Sequence, residues 1–143
     1  MRFWDSSAIV PLVVRQATSI EVERWLGDDP DVVTWTLTPV EVLSALRRLV
    51  REGDLPERVA LDAEALTDDL VRRTHVVTDV ERVKVLASRL LRVHQLREAD
   101  ALQLGAAVAW ADGSSSGLRV HTFDRRLALA AEREGFRVNP PSG

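Results

Sequence analysis

Four acidic residues stand where the surrounding sequence gives a charge no obvious structural role. Asp5 and Asp124 each end a short apolar run that is typical of a strand, and Asp100 interrupts a long apolar helical segment. Glu41 lies in the first turn of a predicted amphipathic helix. Carboxylates that gather in one place repel each other and are costly to desolvate, so such a cluster requires a cation. The pattern therefore predicts a divalent-metal site, and the chemistry it favours is phosphodiester hydrolysis.

Two of these acids are predicted to meet because of where their strands end. In open parallel sheets, ligands bind beyond the carboxyl ends of the strands, which is where Asp5 and Asp124 lie. Thr122 is on the same side of its strand as Asp124, so its hydroxyl is able to orient a carboxylate. Asp124 has an alternative role as the N-cap of the next helix. Asp5 has less need of that role, because Ser6 or Ser7 is available to cap.

The other two acids are predicted to lie on helices. The segment Thr38–Glu41 fits a capping box with proline at the first helical position, which leaves a purely structural role open for Glu41. Asp100 shares its helical face with Gln103 and apolar residues, a face that should be turned toward the protein. An acid there needs a partner, either an arginine such as Arg97 or a metal ion.

The elements that position these residues follow from hydrophobic periodicity. β-branched and alternating runs predict strands at about 2–5, 31–36, 75–78, 118–123 and 136–139. Helical spacing and capping signals predict helices at about 6–14, 19–26, 38–51, 56–73, 78–92, 97–110 and 124–134. Strands separated by helices imply right-handed crossovers and a mainly parallel sheet covered on both faces. The predicted fold is an α/β/α three-layer sandwich in a single domain, 1–143.

Composition excludes several classes of function. The 143 residues contain no cysteine, so disulfides, thiolate zinc sites and cysteine nucleophiles are excluded. The first predicted strand begins at Arg2, which leaves no room for a signal peptide, and no apolar run approaches the roughly 20 residues of a membrane span. We therefore expect a cytoplasmic protein without a membrane partner. His75, His94 and His121 show no metal-ligand spacing and are expected to be structural or exposed.

Four motifs, in this order, resemble those of the PIN-domain family, and more closely those of the toxin component of VapBC-type toxin–antitoxin pairs. The resemblance covers essentially the whole chain, both in length and in the order of helices and strands. The motifs are Asp5-Ser6-Ser7-Ala8, Pro39-Val40-Glu41, Leu96-Arg97-Glu98-Ala99-Asp100-Ala101-Leu102 and Thr122-Phe123-Asp124-Arg125-Arg126-Leu127.

The resemblance implies a PIN-like fold and an Mg²⁺- or Mn²⁺-dependent endoribonuclease. The family's acidic quartet falls on Asp5, Glu41, Asp100 and Asp124, and its auxiliary hydroxyl position falls on Thr122. The resemblance also implies a homodimer, a cognate antitoxin that inhibits the enzyme, and an RNA substrate such as transfer or ribosomal RNA.

Hard oxygen ligands suit Mg²⁺ or Mn²⁺, and Mg²⁺ usually binds only one or two carboxylates directly. Our hypothesis is that Asp5 and Asp100 bind the metal directly. Glu41 and Asp124 then complete the site through water or hold a second ion. With water as the nucleophile, the products should carry 5′-phosphate and 3′-hydroxyl ends.

RNA binding is expected to come from arginines near the acids. Of the 19 basic residues only Lys84 is lysine, which leaves 18 arginines. Arginine's planar fork suits phosphate, although a GC-rich genome explains the bias more simply. A net charge of −3 argues against a protein that coats nucleic acid non-specifically. Solvated helix faces are an equally good explanation for the candidate arginines, which are Arg47, Arg48, Arg51, Arg125 and Arg126.

Two other classes of function compete with this interpretation. A phosphotransfer domain of the receiver type needs paired acids and a late lysine, whereas Lys84 is mid-helix. The dehalogenase type needs Asp-x-Asp, whereas this chain has Asp5-Ser6-Ser7. A catalytically inert PIN-like module, binding RNA or protein, would be expected to lack some of the acids, yet all four positions are filled.

Overall fold

The computed structural model describes residues 1–141, and its strands form one sheet in which every pairing is parallel. Residues 142 and 143 of the predicted domain lie outside the described part. The strand order is β3-β2-β1-β4-β5, so β1 is central and is flanked by β2 and β4. The strands are β1 (Arg2–Trp4), β2 (Val32–Trp35), β3 (His75–Val77), β4 (Arg119–His121) and β5 (Arg137–Asn139).

Helices cover both faces of this sheet. Those of the described part are α1 (Ser6–Val13), α2 (Ser19–Asp28), α3 (Thr38–Arg51), α4 (Glu57–Val71), α5 (Val80–Val93), α6 (Glu98–Ala111) and α7 (Arg125–Arg133). Within residues 1–141, none of these helices is long and apolar enough to cross a membrane.

Two hydrophobic clusters, one on each face, hold the layers together. Neighbouring residues of β1 point to opposite faces, as strand geometry requires. Trp4 packs with buried residues of α1 to α4, including Ile9 and Leu46. Phe3 packs with buried residues of α5 to α7, including Leu104. The predicted α/β/α three-layer sandwich is therefore confirmed.

A close contact between α5 and α6 fixes the position of the helix that carries Asp100. A Cβ atom at Gly105 would lie 3.1 Å from the carbonyl oxygen of Val83 and 3.3 Å from the amide nitrogen of Ala87. Because glycine has no side chain, α6 packs directly against the backbone of α5 at this point. We infer that this contact sets the distance between α6 and α5.

The three histidine side chains have structural or exposed environments. His121 is fully buried, and its ring centroid lies 4.6 Å from that of Trp4 and 4.6 Å from that of Trp25. Burial lowers the pKa of His121 to about 3, so the ring packs as a neutral group. His94 contacts the Glu134 carboxylate at 2.7 Å, and His75 is exposed on β3. These environments agree with the structural or exposed roles that were expected.

Candidate active site

The carboxyl ends of the two central strands bring distant residues together. Trp4 of β1 and His121 of β4 are register partners, and the amide of Asp5 donates to the carbonyl of His121 at 3.0 Å. Asp5 and Thr122, the residues that follow these partners, therefore lie side by side. The Thr122 hydroxyl donates to Oδ2 of Asp5 at 2.9 Å. The predicted convergence of the two strand ends is seen in the structure.

Asp5 is buried, with only 4% of its surface exposed, and its two oxygens have different environments. Oδ2 accepts from the Ser7 hydroxyl at 2.5 Å, from the Ser7 amide at 3.2 Å and from Thr122. Within residues 1–141, Oδ1 accepts only from the Ser6 hydroxyl, at 3.4 Å. Burial raises the pKa of Asp5, the hydroxyls lower it, and the charge of Asp124 raises it further. One oxygen is thus fixed by hydrogen bonds, and the other has spare acceptor capacity.

Ser7 and Thr122 join the start of α1 to the connection between β4 and α7. Ser7 Oγ accepts from the Phe123 amide at 2.9 Å, and Thr122 Oγ1 accepts from the Asp124 amide at 3.1 Å. Each hydroxyl therefore binds backbone on one side and Asp5 on the other. The expected orienting role of Thr122 has this geometric basis, and Ser7 shares it.

The structure answers two expectations about helix caps, one for α7 and one for α1. Asp124 Oδ1 accepts from the Leu127 amide at 2.9 Å, so Asp124 caps α7, as its alternative role required, and it also lines the cleft described below. For α1, the expectation of a serine cap was wrong. Asp5 is the N-cap, because its carboxylate reaches the Ser7 amide while the Ser7 hydroxyl is turned toward Asp5 and Phe123.

Glu41 is held by a residue that the sequence did not single out for function. Gln103, on α6, is 1% exposed, and its amide nitrogen donates to Glu41 Oε2 at 2.7 Å and to Thr38 Oγ1 at 3.2 Å. The capping-box interpretation of Glu41 was therefore wrong. No side chain of the described residues caps α3, and the Thr38 hydroxyl instead accepts from the Trp35 amide at 3.1 Å. Burial raises the pKa of Glu41, whereas the bond from Gln103 lowers it.

Asp100 is half-buried in the first turn of α6, on the protein-facing side that periodicity predicted. Burial raises its pKa to about 6, and the charges of Asp124 and Asp5 add to this, whereas the backbone and guanidinium of Arg97 lower it. Within residues 1–141 Asp100 forms no ion pair with Arg97. The guanidinium of Arg97, one of the two partners considered for this acid, therefore acts on Asp100 only through its charge and not through an ion pair.

These residues surround one cleft, with a volume of about 670 Å³. Glu41, Asp100 and Asp124 line it, and Asp5 lies behind its two serines, Ser6 and Ser7, which also line it. Four arginines lie on the rim, namely Arg48, Arg97, Arg125 and Arg126. Three of the five arginines considered for RNA binding are thus at the cleft, and Arg97 joins them.

Arg47 is used differently from its neighbour Arg48. Its guanidinium contacts Glu57 at 2.8 Å and Glu64 at 3.5 Å, which joins α3 to α4 away from the cleft. Arg51 does not line the cleft. Helical rotation separates Arg47 from Arg48, because consecutive residues of a helix do not share a face, whereas Arg47 and Arg51 are four positions apart and do share one.

The fit of this site to a metal ion depends on its donor set. None of the four acids forms an ion pair in the part of the chain that is described, so their repulsion is offset only in part, by hydrogen bonds and by the charge of Arg97 near Asp100. Within that same part, no three acids or histidines are grouped closely enough to form a ready-made metal cage. Hard carboxylate donors that are near one another but not in a closed cage fit a cation that keeps several waters, as Mg²⁺ does.

A parallel sheet whose carboxyl edge presents unpaired acids beside arginines is suited to binding a cation and a phosphate ester together. The chain belongs to the PIN-domain family, because the family model described as PIN domain matches residues 2–133. The resemblance seen in the four sequence motifs is therefore confirmed.

Individual relatives agree with the family. Ribonuclease VapC49 from Mycobacterium tuberculosis is 36% identical over 139 residues, which cover 96% of this chain and 94% of the relative. Two solved structures share the fold. VapC20 from the same organism, a toxin that cleaves the sarcin–ricin loop, has a TM-score of 0.63 at 23% identity, covering 91% of this chain and 95% of its own. A toxin–antitoxin complex from Klebsiella pneumoniae has a TM-score of 0.64 at 14% identity, covering 90% of each chain.

Proposed function

We propose that this chain is a divalent-metal-dependent endoribonuclease and acts as the toxin of a toxin–antitoxin pair. Membership of the PIN-domain family and a relative named as a ribonuclease, 36% identical over nearly the full length, confirm the predicted ribonuclease of the toxin type. The structural observation that carries the proposal is the meeting of four unpaired carboxylates and four arginines around one cleft.

The acids would hold the cation in two ways. We assign direct binding to Asp5, through its less occupied Oδ1, and to Asp100 across the cleft. Glu41 and Asp124 would act through water or hold a second ion. An Mg²⁺ or Mn²⁺ ion, when bound, lowers the pKa of a water nucleophile and offsets charge that develops on the phosphoryl group. Direct binding by only one or two carboxylates agrees with the open spacing of the acids.

The other polar residues would keep the acids in position and bind substrate. Ser7 and Thr122 hold one oxygen of Asp5, which fixes the direction of the other. Gln103 does the same for Glu41. The rim arginines would bind phosphates on either side of the scissile bond, since guanidinium groups form paired, charge-assisted hydrogen bonds with phosphate oxygens. Attack by water would leave 5′-phosphate and 3′-hydroxyl ends.

The partners follow from the family rather than from the cleft alone. The Klebsiella pneumoniae structure is a toxin–antitoxin complex, which supports an antitoxin as the partner of this chain. An arginine of that antitoxin would be able to replace the cation among the acids, because the two have the same sign of charge. We further propose that the toxin is a homodimer, that it works in the cytoplasm, and that its substrate is a structured RNA such as transfer or ribosomal RNA.

Cleavage of total cellular RNA tests the proposal directly. Purified protein, freed of antitoxin, should produce discrete cuts with Mg²⁺ or Mn²⁺ and none with EDTA. Asp5→Asn should lower the cleavage rate by about a thousandfold, which is the scale on which loss of an electrostatic group reduces catalysis. Circular dichroism should show that the variant is folded, and mapping of the ends should identify the RNA.

Two outcomes would contradict this proposal. Intact RNA in every condition, from protein that is folded, would favour an inert PIN-like module that binds RNA or protein. Ends that carry a 2′,3′-cyclic phosphate would show that the ribose hydroxyl, and not water, is the nucleophile.

A further inference from the structure

A second groove opens beside the cleft, on one side of α7. It has a volume of about 250 Å³, and the residues that line it are His94, Gln95, Arg126, Leu129, Ala130 and Arg133. Arg126 also lines the acidic cleft, so the two concavities share a wall. We call this concavity the α7 groove.

The two walls of the α7 groove continue the walls of the cleft. One wall is the connection between α5 and α6, which contributes His94 and Gln95 to the groove and Arg97 to the cleft. The other wall is α7, on which Arg126 and Arg133 are seven residues apart and therefore on one face. Seven residues of helix span roughly 10 Å, so the groove extends about two turns beyond the cleft.

The net charge of this groove is positive. The nearby carboxylate of Glu134 is engaged by Arg89 and by His94, each at 2.7 Å, so its negative charge is already matched. Arg126 and Arg133 are exposed and form no ion pair within residues 1–141. Two free guanidinium groups on one helix face suit a polyanion whose charges repeat along its length.

We propose that the α7 groove is a phosphate-binding extension of the substrate cleft, which holds the RNA backbone beyond the nucleotides at the scissile bond. This rests on the proposed ribonuclease function, because an endonuclease substrate must leave the cleft on both sides. Arg126 would bind a phosphate at the mouth of the groove and Arg133 one farther along. Ala130 and the exposed part of Leu129, which lie between the arginines, leave room for the sugars.

Binding of RNA of two lengths tests this extension. The probes are fluorescently labelled tetrauridylate, which is short enough to occupy the cleft alone, and dodecauridylate. Anisotropy is measured with Mg²⁺ in an Asp5→Asn background, so that the RNA stays intact. Arg133→Gln should weaken binding of the dodecamer about tenfold, as expected for one lost charge-assisted hydrogen bond, and leave the tetramer unchanged. For the dodecamer, the slope of log Kd against log salt should fall by about 0.7.

Arg137→Gln is the matched control. Arg137 is also exposed and begins β5, but among the described residues it lines neither the cleft nor the α7 groove, so this variant should bind both probes normally. An equal loss for both lengths with Arg133→Gln would overturn the proposal, because the residue would then act on the cleft itself. Unchanged binding at both lengths would also overturn it and would leave an acidic protein segment as the occupant of the groove.

Different results would contradict the proposed groove and the proposed nuclease function. A protein that cleaves cellular RNA but shows no length-dependent effect of Arg133→Gln would keep the proposed function and overturn the groove. A protein that shows this effect but cleaves nothing would keep the groove and overturn the nuclease.

Discussion

Carboxylates outside the cleft and inside it have opposite environments. Outside, Glu134 contacts Arg89 and His94, and Asp29 contacts the chain's amino terminus at 2.5 Å; these cations lower the pKa of each acid. Inside, Asp5 and Asp100 have raised pKa values, because burial and neighbouring acids disfavour their charge. The outer acids stabilise the fold, whereas the cleft acids cost stability until a cation joins them. Acids with raised pKa values that lower stability are typical of functional sites.

Addition of a metal ion should offset the loss of stability that the acids of the cleft cause. At a concentration a hundred times its Kd, Mg²⁺ should raise the free energy of unfolding of the wild type by about 2.7 kcal/mol, since only the folded state gathers the acids. Asp100→Asn should lose most of this gain, and Asp29→Asn, outside the cleft, should keep it. Urea unfolding with Mg²⁺ and with EDTA measures both. An equal gain in Asp100→Asn would show that the ion binds elsewhere.

Removal of the bond between Gln103 and Glu41 should weaken the cleft without removing an acid. Gln103→Met keeps the size of the side chain but leaves Glu41 Oε2 without its donor. Cleavage should fall by ten- to a hundredfold, as expected for a residue that orients a metal ligand, and more Mg²⁺ should be needed for half-maximal rate. Gln16→Met, at an exposed position outside the cleft, is the control. An unchanged Mg²⁺ requirement would leave Gln103 with a packing role only.

The acids inside and outside the cleft should make stability depend on pH in opposite directions. Folded Asp100 holds its proton up to a pH of about 6, whereas the ordinary value is 3.8, so stability falls as pH rises between these values. Glu134 and Asp29 act in the other direction: their stabilisation is present near neutral pH and is lost as pH falls through their lowered pKa values. In EDTA, the stability gained by Asp100→Asn should grow from pH 3.8 to about 6 and then level off. A gain that is the same at every pH would contradict the assigned shift.

The smallest effect is expected from an arginine outside the cleft. Arg47→Met breaks the half-exposed contacts to Glu57 and Glu64, which should cost at most about 1 kcal/mol of stability and leave cleavage unchanged. Arg48→Met, one position later on the rim of the cleft, should do the reverse, lowering cleavage with little effect on stability. Activity assays beside thermal unfolding separate the two. If Arg47→Met impaired cleavage as much as Arg48→Met, the division between the two regions would be wrong.

Sequence patterns predicted the parts of this site that follow from regular geometry. Parallel strands all end at one edge, so Asp5 and Asp124 were expected to converge before any contact was known. Helical periodicity likewise placed Asp100 on a protein-facing side. Each of these inferences uses only the repeat of a strand or helix and the general topology of α/β sheets.

Contacts between distant elements were not predictable in the same way. Gln103 was recognised as sharing the helical face of Asp100, but its bond to Glu41 joins residues 62 positions apart. Periodicity tells which face of a helix is buried and not which side chain it meets. The capping box at Glu41 failed for the same reason, because Gln103 and Trp35 offered the two side chains better partners than the helix end did.

The order of the strands along the chain has a consequence for the point in synthesis at which the site can form. Asp5 is made well before the Thr122 that holds it, which follows 117 positions later, directly after β4. A nascent chain that has not yet reached β4 lacks both Thr122 and the fourth acid, Asp124. The proposed nuclease activity, which uses all four acids, is therefore absent until most of these residues have been made.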